Sequence, residues 1–285
     1  MRKFFYITIV LVLFSSCNEY QKVLKASGEG ATRKKFEMAE ALYNEGKYAK
    51  ANRLFAQIVP EFRGKPQAQK LMYLYAMTFY KMGDFYISSY RFEQFTTAYP
   101  KSEKLEEASF LSARSYYELS PAYTKDQKET MEAIEKIQGF INRFPSSEYL
   151  TEANKLVKEL EFKLEQKALG IAKQYSEIAP GYTRDFKAAI KSFDNFLFEF
   201  PGSSLREDAL FYKLDAVYKQ AVNSYEIIRS ETDGELVELR KERLHTTMEM
   251  ANSFKKSFGE SKHIDKVNEM TEVVEEELKK YSVKS

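Results

Sequence analysis

The stretch from Gln69 to Pro100, QKLMYLYAMTFYKMGDFYISSYRFEQFTTAYP, predicts the fold of the whole chain. Apolar and aromatic residues recur at helical spacing on both sides of Gly83, and Pro100 ends the second run. Glycine adopts the left-handed conformation that closes a helix more readily than residues with a Cβ atom, and proline cannot continue a helix. Small residues at Ala76 and Ser88 would let two helices approach closely. The stretch therefore predicts two helices joined by a tight turn at Gly83.

The same spacing recurs along the chain. An upstream copy runs from Ala39 to Phe55, and the endings of the second helices repeat downstream. These endings are Phe92-x-x-Phe95-x-x-x-Tyr99-Pro100, Ile137-x-x-Phe140-x-x-x-Phe144-Pro145, Phe193-x-x-Phe196-x-x-x-Phe200-Pro201 and the weaker Ala251-x-x-Phe254-x-x-x-Phe258-Gly259. The spacing resembles the tetratricopeptide repeat, a helix-turn-helix unit of about 34 residues that buries its apolar face only when copies stack. The chain is therefore expected to form an all-α solenoid of about five such units.

The repeats also predict the domain organisation. Residues 33–147 hold three repeats, and residues 148–285 hold two more. The second group begins with a long mid-chain helix that is expected to end near residue 178, and it closes with a capping helix near the C-terminus. Residues 17–32 are mostly small and polar, a composition that predicts a flexible tether.

Residues 1–16 have the pattern of a signal peptide. Two basic residues precede an apolar run from Phe4 to Phe14 that is only about half as long as a bilayer-spanning helix. The ending Ser15-Ser16-Cys17 resembles a bacterial lipobox, in which Cys17 becomes the acylated first residue of the mature protein. The alternative is an ordinary secretory signal with an incidental cysteine.

Composition argues against several functional classes. The chain carries 44 Lys and Arg residues against 42 Asp and Glu, and removal of Arg2 and Lys3 with the leader would balance the two. That balance does not favour nucleic-acid binding, which needs a basic face. With two histidines, one cysteine and no catalytic or phosphate-binding motif, the sequence predicts no metal site, no cofactor and no enzymatic activity.

The candidate binding residues lie on the first helices of repeats one to three. Two positions, three before and four after the recurring alanine of each repeat, fall on one helix face because they are seven residues apart. All six are aromatic: Phe36, Tyr43, Tyr73, Tyr80, Phe110 and Tyr117. This aromatic ladder could line a groove for an extended peptide or a partner helix. The alternative is that the same residues pack between repeats.

Two loops share a second pattern, in which Pro, Tyr, Thr, a basic residue and Asp follow in order. Insertions in a repeat often mark a contact face, and the residues proposed for partner contact are Tyr123, Lys125 and Asp126 in the first loop and Tyr182, Arg184 and Asp185 in the second. The alternative is that both segments only begin a helix.

The lipobox, the short tether and the five repeats together resemble the BamD family, lipoproteins of the β-barrel assembly machine in Gram-negative outer membranes. The stretch most similar to the family runs from Asp126 through Phe140 and Phe144-Pro145 to Ser147 and Ala153. Asn18 after the cysteine resembles the signal that permits sorting to the outer membrane. The extended segment from Ser230 to Arg240 departs from the family pattern. The family's partner-contacting residues therefore cannot be assigned to positions in this part of the sequence.

The resemblance implies a scaffold anchored to the outer membrane by its lipid and facing the periplasm. Its expected partners are the POTRA domains of a BamA-like barrel insertase and unfolded outer-membrane proteins. A second interpretation is a periplasmic repeat lipoprotein that recruits peptidoglycan enzymes or proteases. Co-purification with one class of partner or the other would separate the two.

Overall fold

The computed structural model describes residues 19–62, 64–181, 184–224 and 234–282, and every regular element in them is a helix. The helices after residue 30 are α1 (Ala31–Asn44), α2 (Tyr48–Ile58), α3 (Ala68–Met82), α4 (Phe85–Ala98), α5 (Leu105–Leu119), α6 (Lys128–Arg143), α7 (Leu150–Ile178), α8 (Lys187–Glu199), α9 (Arg206–Asn223), α10 (Gly234–Ser257) and α11 (Ile264–Ser282). A short 3₁₀ turn, Val59–Phe62, follows α2. The predicted all-α architecture is confirmed.

The turn at Gly83 forms as predicted. Gly83 closes α3 with φ 78°, a left-handed conformation, and its N–H donates to the Tyr80 carbonyl at 3.1 Å. The Asp84 side chain then caps α4 by accepting from the Ile87 N–H at 3.5 Å. Glycine suits this position because a side chain there would strain the backbone.

In repeats two to five, the second helix ends with the same geometry. The last aromatic residue donates its N–H to the carbonyl four residues earlier, at 2.8–3.0 Å, in Tyr99, Phe144, Phe200 and Phe258. Its ring also packs against the phenylalanine four residues earlier, with centroids 5.2–5.4 Å apart and planes at 39–46°. The repeated sequence motif therefore specifies a repeated side-chain contact.

A serine then opens the next helix in each copy. The hydroxyls of Ser102, Ser147, Ser203 and Ser261 each accept the N–H two residues onward at 3.0–3.1 Å. Such local hydroxyl-to-backbone bonds favour turns and helix starts over continued helix. The serine thus helps to set where each new first helix begins.

Contacts divide the chain into two units, each with its own core. The first contains residues 1–121 and 126–160, and the second contains residues 122–125 and 161–285. The sequence placed the boundary between residues 147 and 148, at the start of the long helix, whereas the division falls within α7. Leu156, Val157 and Leu160 belong to a core with α5 and α6, and Leu169 and Ala172 belong to a core with α8 and α9.

The predicted tether over residues 17–32 is wrong for residues 19–25, which are helical. Tyr20 is only 5% exposed and packs on the first core, with Val23 and Leu24 partly buried beside it. Lys50 lies over the Tyr20 ring, 5.3 Å from its centroid. The spacing of Tyr20, Val23 and Leu24 was a signal for this helix, but it covers little more than one turn among small and polar residues.

The last helix covers the end of the second unit, as the predicted capping helix requires. Val267, Met270 and Val274 of α11 are buried. His263 stacks on Phe211 with ring centroids 3.9 Å apart, and its Nε2 lies 2.7 Å from an Asp208 carboxylate oxygen. Residues 225–233, in the interrupted fifth repeat, lie outside the described residues.

The repeated contact predicts a sharp difference between two phenylalanines on α8. Phe196 is 1% exposed and belongs to the motif, whereas Phe198 is 86% exposed. Phe196→Ala is expected to lower the free energy of unfolding by about 3–5 kcal/mol, the usual cost of emptying a phenylalanine site in a core. Phe198→Ala should change it by less than about 0.5 kcal/mol.

Urea unfolding followed by circular dichroism measures both variants. Equal unfolding midpoints for the two would contradict the assigned packing of α8.

Candidate functional site

Four tyrosines on α1, α3 and α5 form what we call the tyrosine face: Tyr43, Tyr73, Tyr80 and Tyr117. Each is partly buried. Their rings contact the second helices, and acidic residues of α5 and α7 lie near their hydroxyl groups. The face lies entirely within the first unit. The aromatic rings are therefore fixed by packing while their polar ends are oriented by charge.

Tyr73 is the most firmly held of the four. The Tyr73 ring packs on Phe92 and Phe95, whose ring centroids are 6.2 and 5.6 Å away. The Lys104 ammonium lies 5.5 Å from the centroid of the Tyr73 ring. Burial and then hydrogen bonding to Glu107 raise the pKa of Tyr73 well above its ordinary value. The hydroxyl therefore stays protonated and can act as a donor toward Glu107.

Glu107 is ionised at neutral pH in this arrangement. Burial alone would raise the pKa of Glu107, but hydrogen bonds from Lys104 and Tyr73 outweigh it and lower the value. The Lys104 ammonium is 2.7 Å from the carboxylate. Tyr43 is close enough that the same carboxylate contributes to the raised pKa of Tyr43, after burial and Tyr48.

Tyr80 lies beside a charged network on the next helices. Its ring packs edge-to-face on Phe85 and Phe92, with centroids 5.7 and 6.3 Å away. Arg114 of α5 forms a salt bridge with Glu152 of α7, and the Arg114 Nε lies 3.9 Å from a carboxylate oxygen of Glu118. Burial raises the pKa of Tyr80; Arg114 opposes this shift, and the two carboxylates add to it.

Tyr117 makes the clearest polar contact of the face. Its hydroxyl donates to Glu159 Oε2 at 2.6 Å, and Lys155 lies 3.7 Å from the other oxygen of that carboxylate. The hydrogen bond to Glu159, followed by burial, raises the pKa of Tyr117 to about 12. The contact joins the end of α5 to the first part of α7, within the first unit.

The two phenylalanines of the predicted ladder serve mainly in packing. Phe110 is 2% exposed, stacks on Tyr149 at 4.6 Å and 11°, and touches Phe140, so its prediction as a groove residue is wrong. Phe36 is partly buried and packs on Phe55 and Phe62, with ring centroids 6.3 and 5.6 Å away. A phenyl ring lacks the polar end that keeps a tyrosine at the surface.

Sequence reasoning missed the charged partners of the face: Glu107, Arg114, Glu118, Glu152 and Glu159. These residues resemble ordinary solvated helix positions in a chain with 42 acidic residues. A signal existed for one of them, because Arg114 immediately follows the repeat alanine Ala113 and so lies beside the predicted face.

In the second unit, Leu169 and Ser176 occupy the positions equivalent to those of the aromatic ladder, and both are buried. This is consistent with a ladder that ends after repeat three.

The first of the two similar loops packs against the second part of α7. Tyr123, 40% exposed, has a ring atom 3.9 Å from where a Cβ on Gly170 would lie, and Lys167 donates to the Thr124 carbonyl at 3.1 Å. Lys125 and Asp126 are exposed at the surface. The loop therefore packs against the long helix while Tyr123 and Asp126 remain exposed.

The second loop is anchored in a comparable way to the end of α9. Arg184 has φ 44°, which is uncommon for a residue with a side chain, and its guanidinium donates to Asn223 Oδ1 at 2.8 Å. Asp185 is exposed and accepts the N–H of Lys187 at 2.9 Å. Tyr182 lies outside the described residues. Both loops thus contact the first helix of the following repeat.

The described residues offer no group of three or more His, Cys, Asp or Glu side chains suited to a metal ion. Within the same residues, no helix is both long and apolar enough to cross a bilayer. Cys17 and the predicted signal peptide lie outside the described residues. What the described surface provides is aromatic contact area and compensated charge.

Comparison with known proteins places the chain in a family. Residues 29–223 match the family described as YfiO, outer membrane lipoprotein. The chain belongs to the YfiO family. No curated protein matches the chain. The YfiO match spans α1 to α9, and so includes the whole tyrosine face and both loops, while α10 and α11 lie beyond it.

The tyrosine face predicts a measurable titration in this YfiO-family chain. Glu159→Gln should move the pKa of Tyr117 from about 12 toward its ordinary value of about 10, because the carboxylate that favours the protonated phenol is neutralised. Carbon-13 NMR of labelled tyrosines across alkaline pH measures the shift.

Glu106→Gln is the matched control, since Glu106 precedes Tyr117 by eleven residues on α5, about 16 Å along the helix. An unchanged Tyr117 titration in the Glu159 variant would contradict the assigned hydrogen bond.

Proposed function

We propose that this chain is the scaffold lipoprotein of an outer-membrane β-barrel assembly machine. It binds the POTRA domains of a BamA-like insertase and holds segments of unfolded outer-membrane proteins on the tyrosine face. Cys17 carries the lipid anchor, and the repeats face the periplasm. Membership in a family of outer membrane lipoproteins is the observation that carries the proposal, and the tyrosine face supplies its chemistry.

The face suits an extended apolar peptide because its rings are already ordered. Tyr73 and Tyr80 are held by contacts to three phenylalanines, so binding would cost little side-chain entropy. Tyrosine offers rigid contact area to apolar side chains and a hydroxyl to polar groups. Carboxylates such as Glu159 can accept peptide N–H groups beside the rings.

The charges of the face suit a partner of low net charge. Three cations, Lys104, Arg114 and Lys155, offset most of the charge of four carboxylates, Glu107, Glu118, Glu152 and Glu159. A face that is already compensated has little attraction for a strongly acidic or basic ligand. Transmembrane β-strands alternate apolar and polar residues, a pattern that the rings and the hydroxyl groups of such a face can both contact. The same balance supports the expectation of no nucleic-acid partner.

The insertase is assigned to the second unit on different grounds. Both braced loops contact helices of that unit, through Lys167 and Asn223, so their exposed side chains project from an ordered base. Tyr123 and Asp185 are exposed there. A rigid support with exposed aromatic and charged residues is the usual form of a protein-binding patch.

The test is a pull-down of the lipid-anchored protein from native membranes in mild detergent. The wild type is expected to recover the barrel insertase together with unfolded barrel proteins. Tyr80→Ala/Tyr117→Ala should reduce the recovered barrel proteins several-fold and leave the insertase unchanged, since only the tyrosine face is altered. Tyr73 is left intact because Glu107 and Lys104 hold it in addition to its ring contacts, and circular dichroism checks that loss of the Tyr80 ring contacts to Phe85 and Phe92 leaves the helix content unchanged.

Tyr86→Ala/Phe198→Ala is the control, because both side chains are exposed (76% and 86%) and lie outside the face. Equal loss of barrel proteins in the control would contradict a role for the face. Recovery of peptidoglycan enzymes or proteases without the insertase would refute the assembly role and favour the adaptor.

A further inference from the structure

A cavity of about 620 Å³ lies between the first two repeats, away from the tyrosine face. Its walls come from the 3₁₀ turn, the start of α3, and α4 from Tyr90 to Ala98 with the following Tyr99. Most of the lining is apolar or aromatic, including Val59, Phe62 and Met72. The volume falls within the range of ligand pockets, roughly 300–1,000 Å³.

One cation, Arg91, lines this cavity among the described residues. Its guanidinium lies over the rings of Tyr75 and Tyr90, 5.2 and 5.6 Å from their centroids, and donates to Gln94 Oε1 at 2.9 Å. Its Nε is buried without a hydrogen-bond acceptor. In the described part of the chain, no carboxylate approaches Arg91 within ion-pair distance. A guanidinium held this way can still donate to an anion.

The next repeat shows what such a site looks like when it is satisfied. A smaller cavity of about 160 Å³ lies at the equivalent place, where Lys136 occupies the position of Arg91, each directly before the first residue of the repeated ending. There Glu93 of the preceding repeat bonds Lys136 at 2.6 Å. The residue equivalent to Glu93 one repeat earlier is Ala56, which directly follows Phe55 as Glu93 follows Phe92 and has no polar group. The first cavity therefore has the cation of the pair without its carboxylate.

Glu93 also touches the wall of the first cavity, but its carboxylate is already engaged. It accepts from Lys136 at 2.6 Å and from the Tyr116 hydroxyl at 3.3 Å. It therefore does not supply the missing partner of Arg91.

We propose that this cavity binds a protein segment that places a glutamate or aspartate side chain on Arg91 and an adjacent apolar side chain against Met72 and Val59. A carboxylate accepts the two-pronged donor set of a guanidinium with good geometry, and the apolar remainder of the cavity suits a neighbouring leucine or phenylalanine. The cavity is separate from the tyrosine face, and binding in the cavity does not depend on which partner the tyrosine face receives.

The shape of the cavity supports this occupant. Arg91 and Gln94 lie near one end of its α4 wall, and Ala98 and Tyr99 lie at the other, about 12 Å away along the helix. One acidic side chain and the next apolar residue of an extended chain span a comparable length. A purely apolar ligand would bury the charge of Arg91 with only the Gln94 amide oxygen to accept from it, which is costly.

The experiment uses the full-length lipoprotein in nanodiscs and two capped peptides, N-acetyl-Leu-Glu-Phe-amide and N-acetyl-Leu-Gln-Phe-amide, with 4-fluorophenylalanine for fluorine-19 NMR. The wild type is expected to bind the glutamate peptide at least about tenfold more tightly than the glutamine peptide. Gln94→Glu should abolish this preference, because it places a carboxylate beside Arg91 without changing side-chain size. Empty nanodiscs correct for partitioning of the peptides into lipid.

Arg91→Gln should abolish the preference as well, and circular dichroism checks that both variants retain the wild-type helix content. Equal binding of the two peptides by the wild type, no binding of either, or a preference that survives in Gln94→Glu would overturn the proposal. Binding of N-acetyl-Leu-Gln-Phe with a free terminal carboxylate but not of the glutamate peptide would also overturn it, since the ligand would then be a chain end.

Discussion

The contact between two aromatic rings at the end of the second helix in repeats two to five is what the rest of the structure depends on. In four copies the rings lie 5.2–5.4 Å apart, and the backbone leaves the helix at the same hydrogen bond. A serine then fixes the first turn of the next helix. Because the exit from one helix and the entry to the next are both specified locally, each repeat delivers the following helix in the same register.

The tyrosine face is a consequence of that register. Tyr73 and Tyr80 are seven residues apart, so their rings meet the phenylalanines of α4 along one side of α3. Their hydroxyls then reach toward the next first helices, where Glu107 and Arg114 lie. Removing a ring to test binding therefore also removes packing. Hydroxyl and carboxylate changes, such as those at Tyr117 and Glu159, separate the two effects better.

Patterns that repeat were predictable from the sequence, and single contacts were not. The helices, the turn at Gly83 and the end of the aromatic ladder follow from residue types at fixed spacing. The docking of Tyr20, Val23 and Leu24 rests on one turn of helical spacing that is not part of the repeats, and the boundary within α7 depends on which core each turn of a continuous helix joins. Phe110 and Tyr117 looked equivalent in sequence, yet Tyr149 covers one while Glu159 orients the other.

The proposed role of the tyrosine face, as distinct from the outer surface of the same repeats, is to receive partner segments. Site-specific photocrosslinking in cells tests it directly, with benzoylphenylalanine in place of Tyr117 on the face or of the exposed Tyr86 on α4. If the tyrosine face receives the segments, crosslinks to unfolded outer-membrane proteins should form from position 117, with few or none from position 86. Crosslinks of equal yield from both positions, or from position 86 alone, would contradict it.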